Sequence, residues 1–493
     1  MDSISSYDLV PYESYPFAHL HPARLAATAQ LRGMPPPPVH TARVLDLGCG
    51  SGGHVIALAG FYPQMKLVGV DLAAGQIEQG NARIRELGLR NVSLHAGNLA
   101  VGLPEGALMS SQGFHHQFDY ILCQGVYYVV PEAVRSGIWK LLQMHLAPSG
   151  IAHISFNTYP GWKLREVAQD FAQFHAAPES PGAAQEQRVR EGLAQIAALS
   201  PLHAQGLTAG YGLSLRAEAQ LASQSLPGLL FHEFLSGDNQ PLYFQQMNQA
   251  AQAAGFFYLC EAGLPDAWPA RVGVAGQPLY ALAAGNALKF EQYLDFAMAR
   301  TYRNSLWVRP EVANRVQNAL NTWPDQALHG LQLPADLSLG QSGTDAQAAF
   351  LTAQGTSFQV PVAQAGILHA LVKKPSQTLW MSATSLLDAF PDCAALLHEC
   401  VLRGLVGAWH EPPSLSMLKP LEAPAWLRLE ALRQASRYLP TIWHQAVGLS
   451  VQDRQLLAAC DGQISAQSLM QRDASWQSKL VLFERQGWIR PAQ

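Results

Sequence analysis

Residues 43–53 of the chain read RVLDLGCGSGG, and this stretch decides the fold. A short apolar run of strand length passes directly into a glycine-rich turn, and the residues that follow, VIALAGFY (55–62), have the composition of a helix. Glycines let the backbone turn sharply and approach a ligand closely, and the next helix presents unpaired N–H groups at its first turn. The pattern predicts a strand, a ligand-binding turn and a helix. Taken alone, the turn suits NAD or FAD as well as other ligands, or serves only as a tight turn.

An acidic residue at the end of the second strand narrows the choice of ligand. Residues 66–72 read KLVGVDL and place Asp71 where a carboxylate can accept hydrogen bonds from both ribose hydroxyls of an adenosyl group. Dinucleotide enzymes share that acid, but Asp46 stands immediately before the turn, where its charge would repel a diphosphate. Asp46 suits a positively charged amino group instead. S-adenosylmethionine carries an amino group and a sulfonium, so the charge pattern favours it as the cofactor.

Strand-sized runs and helical segments continue to alternate along the chain. This alternation predicts an α/β domain over residues 1–310, with a parallel sheet covered by helices on both faces. Residues 163–238 lack a strand signal, and we interpret them as a helical insertion that caps the active-site edge. The further strands are predicted in NVSLHAGNL (91–99), FDYILCQG (118–125), IAHISFN (151–157), residues 256–261 and TYRNSLWV (301–308).

Beyond Pro310 the pattern changes to two segments of similar design, 311–412 and 413–493. Each contains an amphipathic helix, a glycine and a short apolar strand, which predicts a mainly α-helical, winged-helix-like C-terminal region. Residues 345–490 contain twelve Lys or Arg and eleven Asp or Glu, so they lack the basic surface of a nucleic-acid-binding domain. We therefore expect no nucleic acid partner.

The composition is that of an ordinary globular protein. Hydrophobic residues make up 48% of the chain and charged residues 14%, and the formal net charge is −4. These values argue against extended disorder and against wrapping of nucleic acid or adsorption to an anionic membrane. The six cysteines form no CxxC pair, and neither a signal peptide nor an apolar run of membrane-spanning length is evident. We expect a cytoplasmic protein with no metal site and no membrane insertion; the oligomeric state cannot be predicted.

Seven stretches of the chain form a distinctive combination: YDLVPY (7–12), VLDLGCGSGG (44–53), VGVDL (68–72), FDYILCQGVYYVVP (118–131), HISFNTYPGW (153–162), HEFL (232–235) and NQPLYF (239–244). Together they resemble the motifs of the class I methyltransferases that carry a methyltransferase regulatory domain. The resemblance covers about residues 7–310, with a regulatory-domain-like segment at about 225–310. It implies a Rossmann-like fold and S-adenosylmethionine as cofactor. Rickettsial-type bacterial protein-lysine methyltransferases, which modify outer-membrane proteins, are similar and also carry a helical C-terminal extension.

Residue by residue, the resemblance implies a complete cofactor site. The methionyl part lies against Asp46, Gly48 and Gly50, and the ribose lies on Asp71. The adenine is flanked by Leu72 and bordered by Asn98 and Leu99, while Gln124 and Gly125 form the floor and Tyr7 and Tyr12 a lid. The family often has Asp at position 98, but an Asn carbonyl can also accept a hydrogen bond from the adenine amino group.

The candidate acceptor site is a set of mostly aromatic residues after the fourth and fifth strands. Open α/β sheets bind ligands at these carboxyl ends. A lysine ammonium must lose a proton before it accepts a methyl group, and a desolvated aromatic channel favours that loss. Some of these rings could equally be core residues. The candidates are Tyr127, Tyr128, Asn157, Tyr159 and Trp162.

The leading hypothesis is therefore methyl transfer to protein side chains, with lysine favoured and residues 311–493 docking the protein substrate. A small-molecule acceptor is the first alternative, with the helical insertion as its lid. A non-catalytic cofactor-binding interaction protein is the second, although a chain that has lost catalysis has no need of both Asp46 and Asp71. The adjacent pair His232 and Glu233 lacks a second histidine at metal-ligand spacing, and we interpret it as helix packing.

Overall fold

The structure of the chain is a computed structural model. The description below covers residues 12–109, 117–176, 183–199, 206–225, 227–235, 239–263, 276–313, 327–334, 337–340, 346–352, 356–372, 379–413, 422–433, 438–441, 444–463, 469, 476–486 and 488–490.

A seven-stranded sheet forms the centre of the N-terminal part of the chain. Its spatial order is β3-β2-β1-β4-β5-β7-β6, and β1 to β5 run parallel to one another. The order reverses between β1 and β4, and a crevice opens at such a switch point at the carboxyl ends of the strands. The strands are β1 (Arg43–Leu47), β2 (Lys66–Asp71), β3 (Val92–Ala96), β4 (Phe118–Cys123), β5 (Leu146–Asn157), β6 (Phe257–Glu261) and β7 (Tyr302–Val308).

The last strand corrects the expectation of a wholly parallel sheet. β7 pairs antiparallel with β5 and with β6, between which it lies. A helical segment between two strands usually marks a parallel crossover, and for that reason the sequence pattern suggested one here. β7 instead begins beside the end of β6, where Ser305 pairs with Glu261, and runs in the opposite direction.

Helices cover both faces of the sheet, as the sequence predicts, and the predicted insertion is helical in its described residues. The buried residues on the two faces form two large hydrophobic clusters. A smaller cluster lies within the insertion. The helices are α1 (Pro22–Leu31), α2 (Gly53–Phe61), α3 (Ala74–Glu86), α4 (Glu105–Met109), α5 (Glu132–His145), α6 (Trp162–Ala176), α7 (Ala183–Leu199), α8 (Leu207–Gln224), α9 (Pro227–Leu230), a π-helix (Phe231–Leu235), α10 (Phe244–Ala253), α11 (Gln277–Leu282), α12 (Ala287–Met298) and α13 (Pro310–Ala313).

The described part of the C-terminal region contains more strand than the sequence suggested. Three of these strands form a small antiparallel sheet in the order β11-β10-β9. The segment QAAFL in β10 is alanine-rich, and alanine is poorly represented in strands, so its composition gave no strand signal. The elements are β8 (Gln332–Pro334), β9 (Ser338–Leu339), β10 (Gln347–Leu351), β11 (Ser357–Pro361), α14 (Gly366–Ala370), β12 (Trp380–Ser382), α15 (Ala383–Ala389), α16 (Ala394–Leu402), α17 (Ala425–Leu432), β13 (Leu439–Pro440), β14 (Ala446–Val447), α18 (Val451–Ala459) and α19 (Trp476–Arg485). The winged-helix-like character of the two segments remains a prediction.

The C-terminal region packs directly on the helices of the large sheet. The Trp426 ring lies over Gly60 of α2, where an added Cβ would come within 2.2 Å of the ring. Arg83 of α3 forms an ion pair of 2.9 Å with the buried Glu430 of α17. Buried residues between Trp409 and Ile489 therefore share one hydrophobic core with one face of the sheet, whereas those between Ala327 and Ala408 form a separate cluster with Ala27 and Leu31 of α1. In the part of the chain that the structure describes, no helix has the length and hydropathy needed to cross a bilayer.

Candidate functional site

A cavity of about 560 Å³ lies at the carboxyl ends of strands β1 to β5. Its volume is within the range of small-molecule and cofactor sites. One side is lined by residues that follow β1, β2 and β3, and the other by residues from β4, β5, β7 and the helical insertion. The cavity therefore spans the switch point between β1 and β4 and offers two regions.

The glycine-rich turn after β1 forms the first region. Gly48 and Gly50 have φ angles of +78° and +54°, which side chains rarely permit. The Gly50 N–H donates to Oδ2 of Asp71 at 2.8 Å, and the Ala73 N–H donates to Oδ1 of Asp71 at 2.9 Å. These bonds hold the turn and the end of β2 in fixed relation, and Gly48, Gly50 and Asp71 line the cavity.

Asp46 is in a different place from the other predicted cofactor residues. Its side chain is buried in β1 under the turn and does not line the cavity. Burial, together with the nearby charge of Asp71, raises the pKa of the Asp46 carboxyl to about 7. Asp46 can therefore act on a ligand only through the turn or through an intervening group, and it does so best when ionised.

The residues predicted to surround the adenine border the cavity beside Asp71. Leu72 is 59% exposed, and Asn98 and Leu99 lie after β3. Oδ1 of Asn98 accepts a hydrogen bond from the Ala100 N–H at 2.9 Å, so part of its accepting capacity is already used within the turn. The sequence analysis missed Gln76, which lines the same part of the cavity from α3.

The floor of the cavity is a hydrogen-bonded network between β4, β5 and β7. Nε2 of Gln124 donates to the Tyr302 hydroxyl at 3.2 Å, and that hydroxyl donates to Oγ of Ser155 at 2.7 Å. The Gly125 N–H also donates to Oγ of Ser155 at 2.7 Å. The Gln124 side chain is also close enough to His19 to act on the pKa of its imidazole. Gln124 and Gly125 both line the cavity.

One wall is formed by residues 12–17, of which only Tyr12 was predicted; Tyr7 lies outside the described residues. Oγ of Ser14 accepts a hydrogen bond from the Gly53 N–H at 2.7 Å and donates to the Cys49 carbonyl at 3.4 Å. The Tyr12 ring stacks on His232, with 4.7 Å between ring centroids. This wall therefore contacts both the glycine-rich turn and the helical insertion.

The second region brings together two of the five predicted acceptor-site residues, Tyr128 and Asn157, with a residue that was not predicted. Glu233 of the π-helix is 6% exposed and lines the cavity. The Tyr128 hydroxyl donates to Oε1 of Glu233 at 2.5 Å, and Nδ2 of Asn157 donates to Oε2 at 3.4 Å. The sequence analysis assigned Glu233 to helix packing because no neighbouring motif indicated that its helix returns to the ends of β4 and β5.

The other three predicted acceptor-site residues do not line the cavity. Tyr127 points into the core, where it accepts a hydrogen bond of 2.9 Å from Nε1 of Trp139. Tyr159 is turned toward α6 and donates to Glu166. Trp162 is buried at the start of α6, with the Arg165 guanidinium 4.7 Å from its ring centroid. Successive side chains after a strand point in different directions, so proximity in sequence did not place these rings in one channel.

The described residues contain no group of three or more His, Cys, Asp or Glu side chains arranged to hold a metal ion.

Comparison with known proteins agrees with this geometry. Residues 39–155 match the family described as methyltransferase domain, and residues 227–309 match the predicted methyltransferase regulatory domain. Two uncharacterized proteins of Rickettsia prowazekii are similar in sequence. RP028 is 36% identical over 251 residues, which are 51% of this chain and 95% of RP028. RP789 is 32% identical over 307 residues, which are 61% of this chain but only 52% of RP789, so the chain spans about half of that relative.

The chain belongs to the class I methyltransferases that carry a methyltransferase regulatory domain. The cofactor of this methyltransferase family is S-adenosylmethionine. Among solved structures, PKMT2 from Rickettsia typhi in complex with AdoHcy superimposes with a TM-score of 0.78 and 23% identity, covering 95% of this chain and 92% of that one. The fold is therefore shared over almost the whole chain, including the C-terminal region.

The first region of the cavity fits this cofactor. Asp71 offers acceptors for the ribose hydroxyls, and Gln124 and Gly125 line the floor of the cavity. The backbone of Gly48 and Gly50 lets the ligand approach without a side chain between them. When bound, the cofactor supplies an electrophilic methyl group on a sulfonium.

Proposed function

We propose that this methyltransferase transfers methyl groups to lysine side chains of a protein by in-line displacement. The observation that carries the proposal is the composition of the second region of the cavity. Tyr128 and Tyr302 lie there with Asn157 and Glu233, on the opposite side of the switch point from Asp71. A region with aromatic rings and one buried carboxylate suits an aliphatic amine, which has an apolar stem and a polar end.

Methyl transfer demands little acid–base chemistry from the protein beyond preparation of the acceptor. The chain must align a neutral amine with the methyl group and exclude water. The aromatic rings desolvate an entering ammonium, which lowers its pKa and favours the neutral amine. The network of Gln124, Tyr302 and Ser155 keeps the floor between the two regions rigid, so that donor and acceptor meet at a fixed distance.

The C-terminal region favours a protein acceptor. We propose that residues 311–493 provide a second contact surface for it, which raises the effective concentration of the acceptor at the cavity. Exposed apolar side chains, including Leu432 of α17 and Val451 of α18, at 60% and 71% exposure, are available on this region. Removal of the whole region would uncover residues that it buries, such as His54, which contacts His444, so its role is tested on the full chain. Leu432→Glu with Val451→Glu should reduce methylation of the protein acceptor and leave AdoHcy affinity unchanged.

The proposal is tested by incubating the purified protein with methyl-labelled S-adenosylmethionine and lysate from its source. We expect label in protein, on lysine after complete hydrolysis and amino-acid analysis. Label confined to metabolites would contradict the proposal. Asp71→Ala serves as the control that separates enzymatic from background label.

A small-molecule acceptor is the second candidate, because Leu221 and Phe234 of the helical insertion also line the cavity and partly enclose it. In that case the label of the same experiment appears in metabolites. We also propose a cytoplasmic location, on the basis of the sequence features described above.

A further inference from the structure

We propose that Glu233 binds the acceptor ammonium and takes its proton before methyl transfer, so that the enzyme selects primary amines by charge. This inference rests on the proposed function and names the group that recognises its substrate. Three observations carry it: the position of Glu233 in the cavity, the source of its hydrogen bonds, and the absence of an ion-pair partner among the described residues.

Glu233 lines the cavity, and its side chain is largely buried there. Both carboxylate oxygens already have a donor, from Tyr128 and from Asn157, which fixes the orientation of the group. Each oxygen has a further lone pair that can accept from a ligand. Glu233 is thus oriented by the ends of β4 and β5 and retains capacity toward the cavity.

The charge of Glu233 has no direct counter-ion within the described residues. Its two hydrogen bonds come from a neutral hydroxyl and a neutral amide. The cationic side chain on this side of the cavity, Arg165, is bonded to Glu218 at 2.9 Å. A buried carboxylate without an opposite charge is costly, and an entering ammonium would remove that cost. Binding of a cation beside Glu233 is therefore energetically favourable.

The same surroundings determine how readily the Glu233 carboxylate takes up a proton. Burial raises the pKa of the Glu233 carboxyl, and the hydrogen bonds from Tyr128 and Asn157 and the charge of Arg165 oppose that rise. A carboxyl with a raised pKa accepts a proton from an amine more readily than an exposed glutamate does. The titratable groups that act on Glu233 are Tyr128, Arg165 and Tyr302, and Tyr12 acts on Tyr128 in turn.

The step balances without any further reactant. The ammonium of the acceptor gives one proton to a carboxylate oxygen of Glu233 and becomes a neutral amine. The nitrogen lone pair forms the new N–C bond while the bond between carbon and sulfur breaks, and that electron pair stays on sulfur. The products are a methylated ammonium and AdoHcy, and Glu233 then releases its proton to water.

The first experiment measures amine binding without the cofactor. n-Butylamine is a probe for the lysine side chain, and its binding is followed by NMR titration at pH 8. We expect Glu233→Gln to weaken this binding at least fivefold. Glu166→Gln is the matched control, because Glu166 also accepts a hydrogen bond from a tyrosine, Tyr159, but does not line the cavity. Equal binding by wild type and Glu233→Gln would overturn the inference.

The second experiment measures the pH profile of methyl transfer to a protein acceptor. The cofactor is kept saturating at every pH. In the wild type, activity should fall on the acid side as Glu233 becomes protonated; Glu233→Gln should be slow, and its activity should instead rise steadily with pH toward the pKa of the free amine, about 10.4. Tyr128→Phe keeps the carboxylate but removes a hydrogen bond that lowers its pKa, so the acid limb should move to higher pH. If activity in Tyr128→Phe or in Glu233→Gln fell on the acid side at the same pH as in the wild type, the inference would be overturned. If the wild type labels no lysine, the proposed function fails, whereas loss of n-butylamine binding in Glu233→Gln still supports the amine site.

Discussion

The backbone N–H of Gly50 donates to Oδ2 of Asp71 across 2.8 Å, so the glycine-rich turn and the proposed ribose acid are one hydrogen-bonded unit. The turn therefore holds its shape through the residue that is expected to bind the nucleoside. A substitution at position 71 alters both the ligand contact and the turn. This coupling determines how mutational data at the site should be interpreted.

Asp71→Ala should weaken AdoHcy binding at least about tenfold. The ribose hydroxyls lose charge-assisted hydrogen bonds of roughly 1.5–3 kcal/mol each, and tenfold corresponds to about 1.4 kcal/mol. Asp71→Asn retains one acceptor oxygen for the turn and should bind with intermediate affinity. Calorimetry checks both values. Asp170→Ala, an exposed acid on α6, is the control, and unchanged affinity in a folded Asp71→Ala protein would refute the placement of the nucleoside.

AdoHcy affinity should rise with pH up to about pH 7 because of Asp46. Its pKa of about 7 means that most of Asp46 is protonated at pH 6, and only the ionised form attracts the ligand's amino group. Linkage predicts an increase of up to about tenfold per pH unit below 7 and a plateau above it. Asp46→Asn should bind more weakly at pH 8 and lose the dependence. Calorimetry at pH 6, 7 and 8 measures this, and a pH-independent wild type would contradict it.

The same variant separates binding from folding. The pKa of Asp46 in the folded chain lies above its ordinary value of 3.8, so the protonated acid stabilises the fold and this contribution is lost as pH rises toward about 7. In the absence of ligand, Asp46→Asn should therefore have an equal or higher Tm than wild type at pH 8. A lower Tm would indicate that the charge of Asp46 serves the structure.

Gly60→Ala should destabilise the protein, because an added Cβ meets the Trp426 ring at 2.2 Å. Overpacking of this kind costs about 1–3 kcal/mol, which exceeds the helix propensity gained by alanine. In a Trp426→Ala background the sign should reverse. Denaturant unfolding of the four proteins measures the coupling. Gly210→Ala on α8, where nothing lies within 4 Å, is the matched control and should stabilise by up to about 1 kcal/mol. Additive effects at Gly60 and Trp426 would refute the packing of the C-terminal region on α2.

Acidification below pH 6.5 should destabilise the fold through buried histidines at the contact between the two halves of the chain. Burial lowers the pKa of His21, His54 and His444 well below 6.5, and Nε2 of His444 lies 3.0 Å from Nδ1 of His54. Their neutral forms stabilise the fold above pH 6.5, and this contribution is lost as pH falls below that value. The raised pKa values of Asp46 and Asp295, both about 7, act in the opposite direction but involve fewer groups.

We expect the free energy of unfolding to fall by about 1–2 kcal/mol between pH 6.5 and 5. Each of the three buried neutral histidines loses about 1.4 kcal/mol per pH unit, and the two carboxyls with raised pKa offset two of these contributions. Denaturant titrations across this range check the slope. His444→Asn should reduce the slope by about one proton, while the exposed His369→Asn should leave it unchanged. A flat profile in the wild type would contradict the prediction.

The sequence predicted the parts of the site that depend on local pattern. Gly48 and Gly50 follow the first apolar run, and Asp71 ends the second, so the sequence alone identifies them. Parallel pairing of the two strands then brings these residues to the same edge of the sheet. Glu233 could not be predicted in this way, since more than seventy residues of insertion separate it from Asn157 in the chain. Its position depends on how the insertion packs, which local periodicity does not encode. The same reason applies to Trp426 and Gly60, which meet through a contact between distant segments.

The wall formed by residues 12–17 bears on how many methyl groups one acceptor receives. Ser14 ties this wall to the turn through the Gly53 N–H, so a spent cofactor that rests on the turn leaves past a hydrogen-bonded segment. Under the proposed function, a lysine that is to receive a second methyl group must wait for this exchange. Exchange slower than departure of the acceptor would then release monomethylated protein, and the enzyme would act distributively. The lifetime of the hydrogen bond between the Gly53 N–H and Ser14 would thus influence whether one acceptor receives a single methyl group or several.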